Sequence, residues 1–228
     1  MNKLISIALL MAALFLQSSC SKDESAAEVV PNYGLDYFPD DSGIVRYYHV
    51  DSTYWDDFTH INSTVSYELK EVLAGHFIDD QGRNAMRIER YRQDSTGNWV
   101  IYRVWSSVRT NDMASVTEEN IPLVKLRFPS ATGISWNGNA YNAEGEQIYE
   151  IISMDTPGSV NGMNFTQTLK VRENDIENAV EARQQEAKYA KSIGAFYKLK
   201  TSLTFELPSG DTLSGYIYTE KLTSYSLP

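Results

Sequence analysis

Beyond residue 44 the chain alternates apolar and polar side chains with period two. Val65, Tyr67 and Leu69 alternate with Ser66, Glu68 and Lys70. Phe165, Leu169 and Val171 alternate with Thr166, Thr168, Lys170 and Arg172, and Tyr197, Leu199, Leu203 and Phe205 with Lys198, Lys200 and Thr204. Such alternation sets one face of an extended strand on a core and the other in water. Asp79-Asp-Gln-Gly82, Asp94-Ser-Thr-Gly97 and Pro208-Ser-Gly-Asp211 supply turn formers between these runs. The pattern predicts strands over residues 44–54, 62–78, 84–93, 99–109, 121–128, 146–154, 163–172, 194–206 and 212–225. One segment departs from it. Residues 175–191 are rich in Ala, Glu and Gln, and Ile176, Ala179, Val180, Arg183, Ala187 and Ala190 fit a helical stripe ended by Gly194. The expected fold is mainly β. It is a single antiparallel curved sheet or open barrel of about 8–10 strands with one helix before the C-terminal hairpin.

The first 32 residues follow different rules. Lys3 precedes an unbroken apolar stretch over residues 4–16, and small residues follow at Ser18, Ser19 and Cys20. This is the charged start, short apolar run and small-residue cleavage site of a secretory signal over residues 1–19. The stretch falls short of the roughly 20 apolar residues a membrane span needs. Cys20 is the one cysteine, so no internal disulfide can form. Leu16-Gln-Ser-Ser-Cys20 resembles a lipobox, although Gln17 stands where the leucine is usual, and the resemblance implies that Cys20 carries acyl chains. Two chains suffice for a stable anchor. Residues 20–32 then form a lipidated N-terminus and flexible tether with little to bury. Residues 33–43, turn-rich but aromatic, lead into a single β-rich domain over residues 33–228.

Ser21-Lys22-Asp23-Glu24 resembles the Lys-then-acidic export signal of surface lipoproteins of the Bacteroidetes. Tyr37-Phe-Pro39 with Gly43 and Tyr47, and Tyr189-Ala-Lys-Ser-Ile-Gly194 with Tyr197-Lys198, resemble the opening and the C-terminal part of such lipoproteins. The resemblance implies an outer-membrane or surface location and an all-β domain, and it brings no activity with it.

Charge narrows the partners. Removing residues 1–19 removes one cation and leaves 19 basic against 30 acidic residues. An acidic surface argues against nucleic acid and anionic headgroups, which need clustered Lys and Arg. The membrane is therefore reached through the acyl chains of Cys20.

Catalytic patterns are weak. Gly133-Ile-Ser135-Trp-Asn137-Gly138 nearly matches a nucleophile elbow, but Asn137 replaces the required glycine and all three histidines precede Ser135. A Gly/Asn-rich loop is the better account. His49, His60 and His76 stand singly, and the doublets Asp40-Asp41, Asp56-Asp57, Asp79-Asp80 and Glu118-Glu119 lack calcium-loop spacing, so no metal or cofactor is expected. Aromatics offer more. By parity Trp99, Ile101, Arg103 and Trp105 share one face of a strand, and Val100, Tyr102, Val104 and Val108 the other, which is the cleaner core face. Trp99, Arg103 and Trp105 would then stand in a row able to stack on a sugar. A strand buried on both faces is the competing account and the preferred one. Asp51-Ser-Thr53, Asp94-Ser-Thr96 and Asp211-Thr-Leu213 resemble the O-glycosylation pattern of Bacteroidetes, which implies Ser52, Ser95 and Thr212 as acceptors.

The expectation is a lipid-anchored exported protein with a non-catalytic binding or accessory role at the outer membrane or cell surface. Its partner would be a glycan or an envelope protein. An enzyme acting on envelope glycans and a lipocalin-like carrier of an apolar ligand are the alternatives, separated by whether carboxylates converge in a cleft or an apolar cavity opens inside the sheet.

Overall fold

The computed structural model describes residues 33–59 and 61–228. The signal peptide, Cys20, the tetrad at residues 21–24, the tether and His60 lie outside the described residues.

Strand follows strand without a crossover. The elements are β1 (Val45–Trp55), β2 (Asn62–Ile78), β3 (Asn84–Gln93), β4 (Trp99–Arg109), β5 (Met113–Glu118), β6 (Ile121–Arg127), β7 (Ser135–Asn137), β8 (Ile148–Val160), β9 (Met163–Glu177), β10 (Glu181–Ala190), β11 (Gly194–Phe205) and β12 (Thr212–Ser226). They form a 12-stranded sheet in the order β6-β5-β4-β3-β2-β1-β12-β11-β10-β9-β8-β7. β1 closes antiparallel on β12, which leaves β6 and β7 as the two edges. Those edges meet. The Val124 amide donates to the Gly138 carbonyl at 2.9 Å, the Trp136 indole Nε1–H to the Val124 carbonyl at 2.8 Å, and Asn142 Nδ2 to the Pro122 carbonyl at 2.8 Å. The sheet thus curls into a nearly closed barrel, as closure of edges favours.

The strand pattern is close to the expected one, with two short strands, β5 and β7, in addition. The helix is a correction. Residues 175–191 form the end of β9, a turn and β10. Asn178 Oδ1 accepts from the amides of Val180 and Glu181 and so builds that turn. Helix-forming composition loses here because β9 and β11 satisfy both edges of β10 while Ala187 and Tyr189 pack inward. Among the described residues the one helical element is the 3₁₀ turn Leu35–Tyr37.

In such a meander successive hairpins fall at alternate ends. Turns after odd-numbered strands ring one end, and turns after even-numbered strands ring the other. Residues 33–43 plug the second end. Tyr37 is fully buried with its hydroxyl donating to Asp155 at 2.8 Å, the Ser192 amide donates to the Asp36 carbonyl at 2.8 Å, and Arg109 Nη1 to the Phe38 carbonyl at 2.9 Å. Above the plug, inward residues pack in two buried clusters, one with Ile44, Leu73, Met86 and Ile88 and one with Leu126 and Ile151. The Tyr37–Pro39 and Tyr189–Gly194 segments, far apart in sequence, meet here. Gly194 has φ +88°, and a Cβ on it would come within 2.6 Å of Arg46 Nη1 and 3.4 Å of Pro39 Cδ.

The outer face of the sheet carries paired charges on β1, β2, β8, β9 and β10, beside exposed apolar side chains on β4 such as Ile101 and Val104. Lys170, Glu186 and Lys188 pair across it, as do Arg172 and Glu150, and His49 lies between Glu68 and Asp51.

Candidate functional site

Alternation breaks once in β4. Arg90 of β3 sits opposite Arg103, but Tyr91 sits opposite Ile101, so Tyr102 is an extra residue on β4. A bulge of this kind reverses which side chains face inward. Trp99 consequently lies outside, 5.8 Å from the Tyr47 ring and 5.4 Å from Lys70 Nζ, whereas Trp105 turns inward at 7 % exposure with the Arg90 guanidinium 4.1 Å over its ring. The shared face expected for Trp99, Arg103 and Trp105 is therefore corrected: only Arg103 and Trp105 line the interior. The expected core face is corrected too. Val100, Tyr102 and Val104 are 48 %, 39 % and 45 % exposed, and only Val108 is buried.

β11 holds a second reversal. Lys198 and Lys200 were expected in water, yet they point into the barrel, while Leu199 packs among outer-face residues of β9 and β10. The interior accepts them because carboxylates await. Arg46 reaches Glu71 at 3.5 Å, Glu71 reaches Arg90 at 3.1 Å, Arg90 reaches Glu220 at 2.6 Å, and Glu220 stands 3.7 Å from Lys198. A second run links Lys200 to Glu118 at 3.6 Å, Glu118 to Lys125 at 3.4 Å, and Lys125 to Glu173 at 3.4 Å. Burial pushes the Glu220 carboxyl up, but the Arg90 guanidinium and then Lys198 more than offset this and hold it down to about 2. Burial likewise works against Glu118, and Lys125, Lys200 and Lys198 hold it well below the usual carboxylate range. Arg90 and Lys125 are held charged by the same carboxylates against their own desolvation.

Above this belt the barrel opens. A cleft of about 510 Å³ is walled by Tyr54, Tyr67, Tyr102, Tyr216, Tyr218 and Trp105, with Arg103, Lys198 and Lys200 among them and Arg90 and Glu220 at its floor. A neighbouring chamber of about 470 Å³ shares Arg103, Trp105, Glu118, Lys200 and Tyr216 and adds amides and carboxylates, including Asn139, Gln147, Gln185 and Glu144. Both lie toward the end ringed by the odd-strand hairpins. Arg103 pairs with Glu119 at 3.2 Å on the rim.

The other candidates are scattered. Ser135 begins β7 and is exposed, while Trp136 and Gly138 beside it close the seam. A Cβ at Gly138 would lie 2.4 Å from the Tyr149 ring, so this motif serves closure. His76 pairs with Asp40 at 3.1 Å, and His49 with Glu68 at 2.6 Å and Asp51 at 3.2 Å on the outer surface. The bond to Glu68 raises the His49 pKa. Ser66 donates to Asp51 and not to His49, so no nucleophile–base pair is formed. No group of three metal-ligating side chains converges among the described residues. Ser95 lies on the exposed turn after β3, Thr212 begins β12, and Ser52 lines the cleft. Cys20 lies outside the described residues.

The sequence pattern passed over Tyr54, Tyr67, Tyr216, Tyr218 and the ion belt. One signal pointed to the belt: Glu71 sits between Leu69 and Leu73, and Glu220 between Tyr218 and Leu222, each a charge at a core-facing position.

No protein-family model and no curated protein matches the chain. Two solved structures are similar in outline. One is a Bacteroides fragilis protein inferred to be exported, with a YmcC-like fold, at 8 % identity and TM-score 0.45. The other is a Parabacteroides distasonis protein inferred to be a lipoprotein, at 8 % identity and TM-score 0.39. Each match covers 83 % of this chain and 98 % of the other. Likenesses this distant add nothing to the reading of the cleft.

Proposed function

We propose that this chain is a lipid-anchored exported protein that binds a saccharide-type ligand in the mouth of its barrel and performs no chemistry on it. The observation that carries the proposal is the cleft of about 510 Å³ walled by five tyrosines and Trp105 above the paired Arg90 and Glu220. Tyrosine offers a flat apolar face and a hydroxyl, which suits a ring that is apolar on its faces and polar at its edge. Glycoside hydrolysis needs one carboxyl raised so that it holds a proton at neutral pH. Glu118 and Glu220 are shifted the other way, which supports binding over hydrolysis. An apolar cargo would strip water from an ion belt without replacing its interactions, which disfavours a lipocalin-like role.

Cys20 supplies the anchor in this reading, and residues 21–24 the address to the outer membrane and its surface. The Tyr33 carbonyl accepts from the Ser130 amide at the plugged end, which seats the start of the described chain there. Two experiments test the proposal. Titrating the purified protein with a panel of oligosaccharides should give a saturable change in tryptophan fluorescence that Trp105→Phe reduces, and a flat response to every sugar would overturn the binding role. Cys20→Ala should abolish acylation by mass spectrometry and release the protein from membranes, and a lipid-free wild type would overturn the anchor.

A further inference from the structure

We infer that the mouth selects an anionic saccharide, whose carboxylate or sulfate group is gripped by Lys198 and Lys200; this rests on the saccharide reading above. The geometry of the ion belt points to it. The first run contains three cations, Arg46, Arg90 and Lys198, against two carboxylates, Glu71 and Glu220. The second run, Lys200–Glu118–Lys125–Glu173, is balanced. Together the two runs carry one surplus positive charge, in a protein of net charge −10.

That surplus is presented at the mouth. Glu220 is engaged by Arg90 at 2.6 Å and by the Tyr218 hydroxyl at 2.7 Å, and Lys198 stands off at 3.7 Å. Lys200 is 3.6 Å from Glu118, which lies closer to Lys125. Both lysine contacts exceed hydrogen-bond range, so their ammonium donors remain available to a ligand. The two lysines are two residues apart on one strand and project to the same side, about 7 Å apart along it, within reach of one shared anion. They are 19 % and 31 % exposed, whereas Arg90 and Lys125 are sealed beneath. Other charges around the cleft are Arg103, held by Glu119, Arg92 over the Tyr67 and Tyr102 rings, and Glu144 in the neighbouring chamber. Tyr102 and Tyr216 flank the lysines and would stack on the ring that carries the anion.

The test titrates the purified full-length protein with three oligosaccharides of equal length: an oligogalacturonate, a sulfated oligomer and a neutral glucose oligomer. At least one acidic probe should bind about tenfold or more tightly than the neutral one, the strength of one charge-assisted contact, and rising salt should shrink the difference. The carboxylated and sulfated arms separate the two sources of the anion. Lys198→Gln/Lys200→Gln should bring acidic and neutral affinities together, and Lys198→Arg/Lys200→Arg, which keeps the charge, should preserve the gap. Equal binding of acidic and neutral probes by the wild type would overturn the anion site and leave the saccharide reading standing. Binding of none would remove both. A preference that survives in the glutamine variant would overturn its assignment to these lysines.

Discussion

The plugged end and the open mouth are built from the same strands, and what differs is the residue at each inward position. Along β1 the inward column runs Ile44, Arg46, Tyr48, Val50, Ser52, Tyr54, and along β2 it runs Leu73, Glu71, Leu69, Tyr67, Val65. At the plugged end each inward side chain is buried and the lead-in residues complete the hydrogen bonding. At the mouth Tyr54, Tyr102 and Tyr216 are exposed, and the hairpin tips carry apolar side chains such as Phe58, Ile61 and Leu207 in water. Burial of apolar surface stabilises the fold, while an open rim contributes little. The contrast teaches that stability and recognition are separated along the barrel axis, with the ion belt as the boundary.

That contrast can be broken at its strong end first. Tyr37→Ala empties the plug and should lower unfolding free energy by roughly 3–5 kcal/mol in a urea melt, the range for deleting a large buried aromatic. Arg90→Leu strips Glu71 and Glu220 of their shared partner. It should also cost about 3–5 kcal/mol, because a buried charge is left uncompensated. The belt also sets an acid limit. Glu220 titrates at about 2 in the fold against 4.5 for the free side chain. Its contribution is fully present above pH 4.5 and is lost as pH falls from there toward 2, so the urea midpoint should drop through that window. In Arg90→Leu the drop should flatten, since the depressing guanidinium is gone. A midpoint that stays level in the wild type would break the boundary role of the belt.

Substitutions at the mouth sharpen the comparison by sparing stability. Tyr102→Ala should shift unfolding free energy by less than about 1 kcal/mol while weakening oligosaccharide binding in the fluorescence titration. The smallest effect belongs to the rim. Phe58 is 93 % exposed, and Phe58→Ser should leave the melt within about 0.5 kcal/mol of wild type.

Strand positions were legible because period-two alternation and turn residues act locally, as over residues 62–78 and 84–93. The β10 segment was not, because Glu181–Ala190 is made of good helix formers and becomes a strand only through its neighbours on both sides. The cleft was read in part. Arg103 and Trp105 were singled out, but the bulge at Tyr102 that parts Trp99 from them leaves no mark in an alternating pattern. Lys198 and Lys200 read as a solvated face for a related reason: an inward lysine is explained only by carboxylates on other strands, Glu220 on β12 and Glu118 on β5.

The seam between β6 and β7 closes the barrel without a strand ladder. Elsewhere around the wall long ladders such as β1 with β12 fix the circumference, but at the seam the hoop is fastened by the Val124–Gly138, Trp136–Val124 and Asn142–Pro122 bonds. From inside, the same seam holds the plug: Val124 and Trp136 belong to the buried cluster that contains Tyr37, and Ser130 in the turn between the two strands donates to the Tyr33 carbonyl. The latch that joins the two edges is thus also the latch that seats the plug, and loosening one loosens the other.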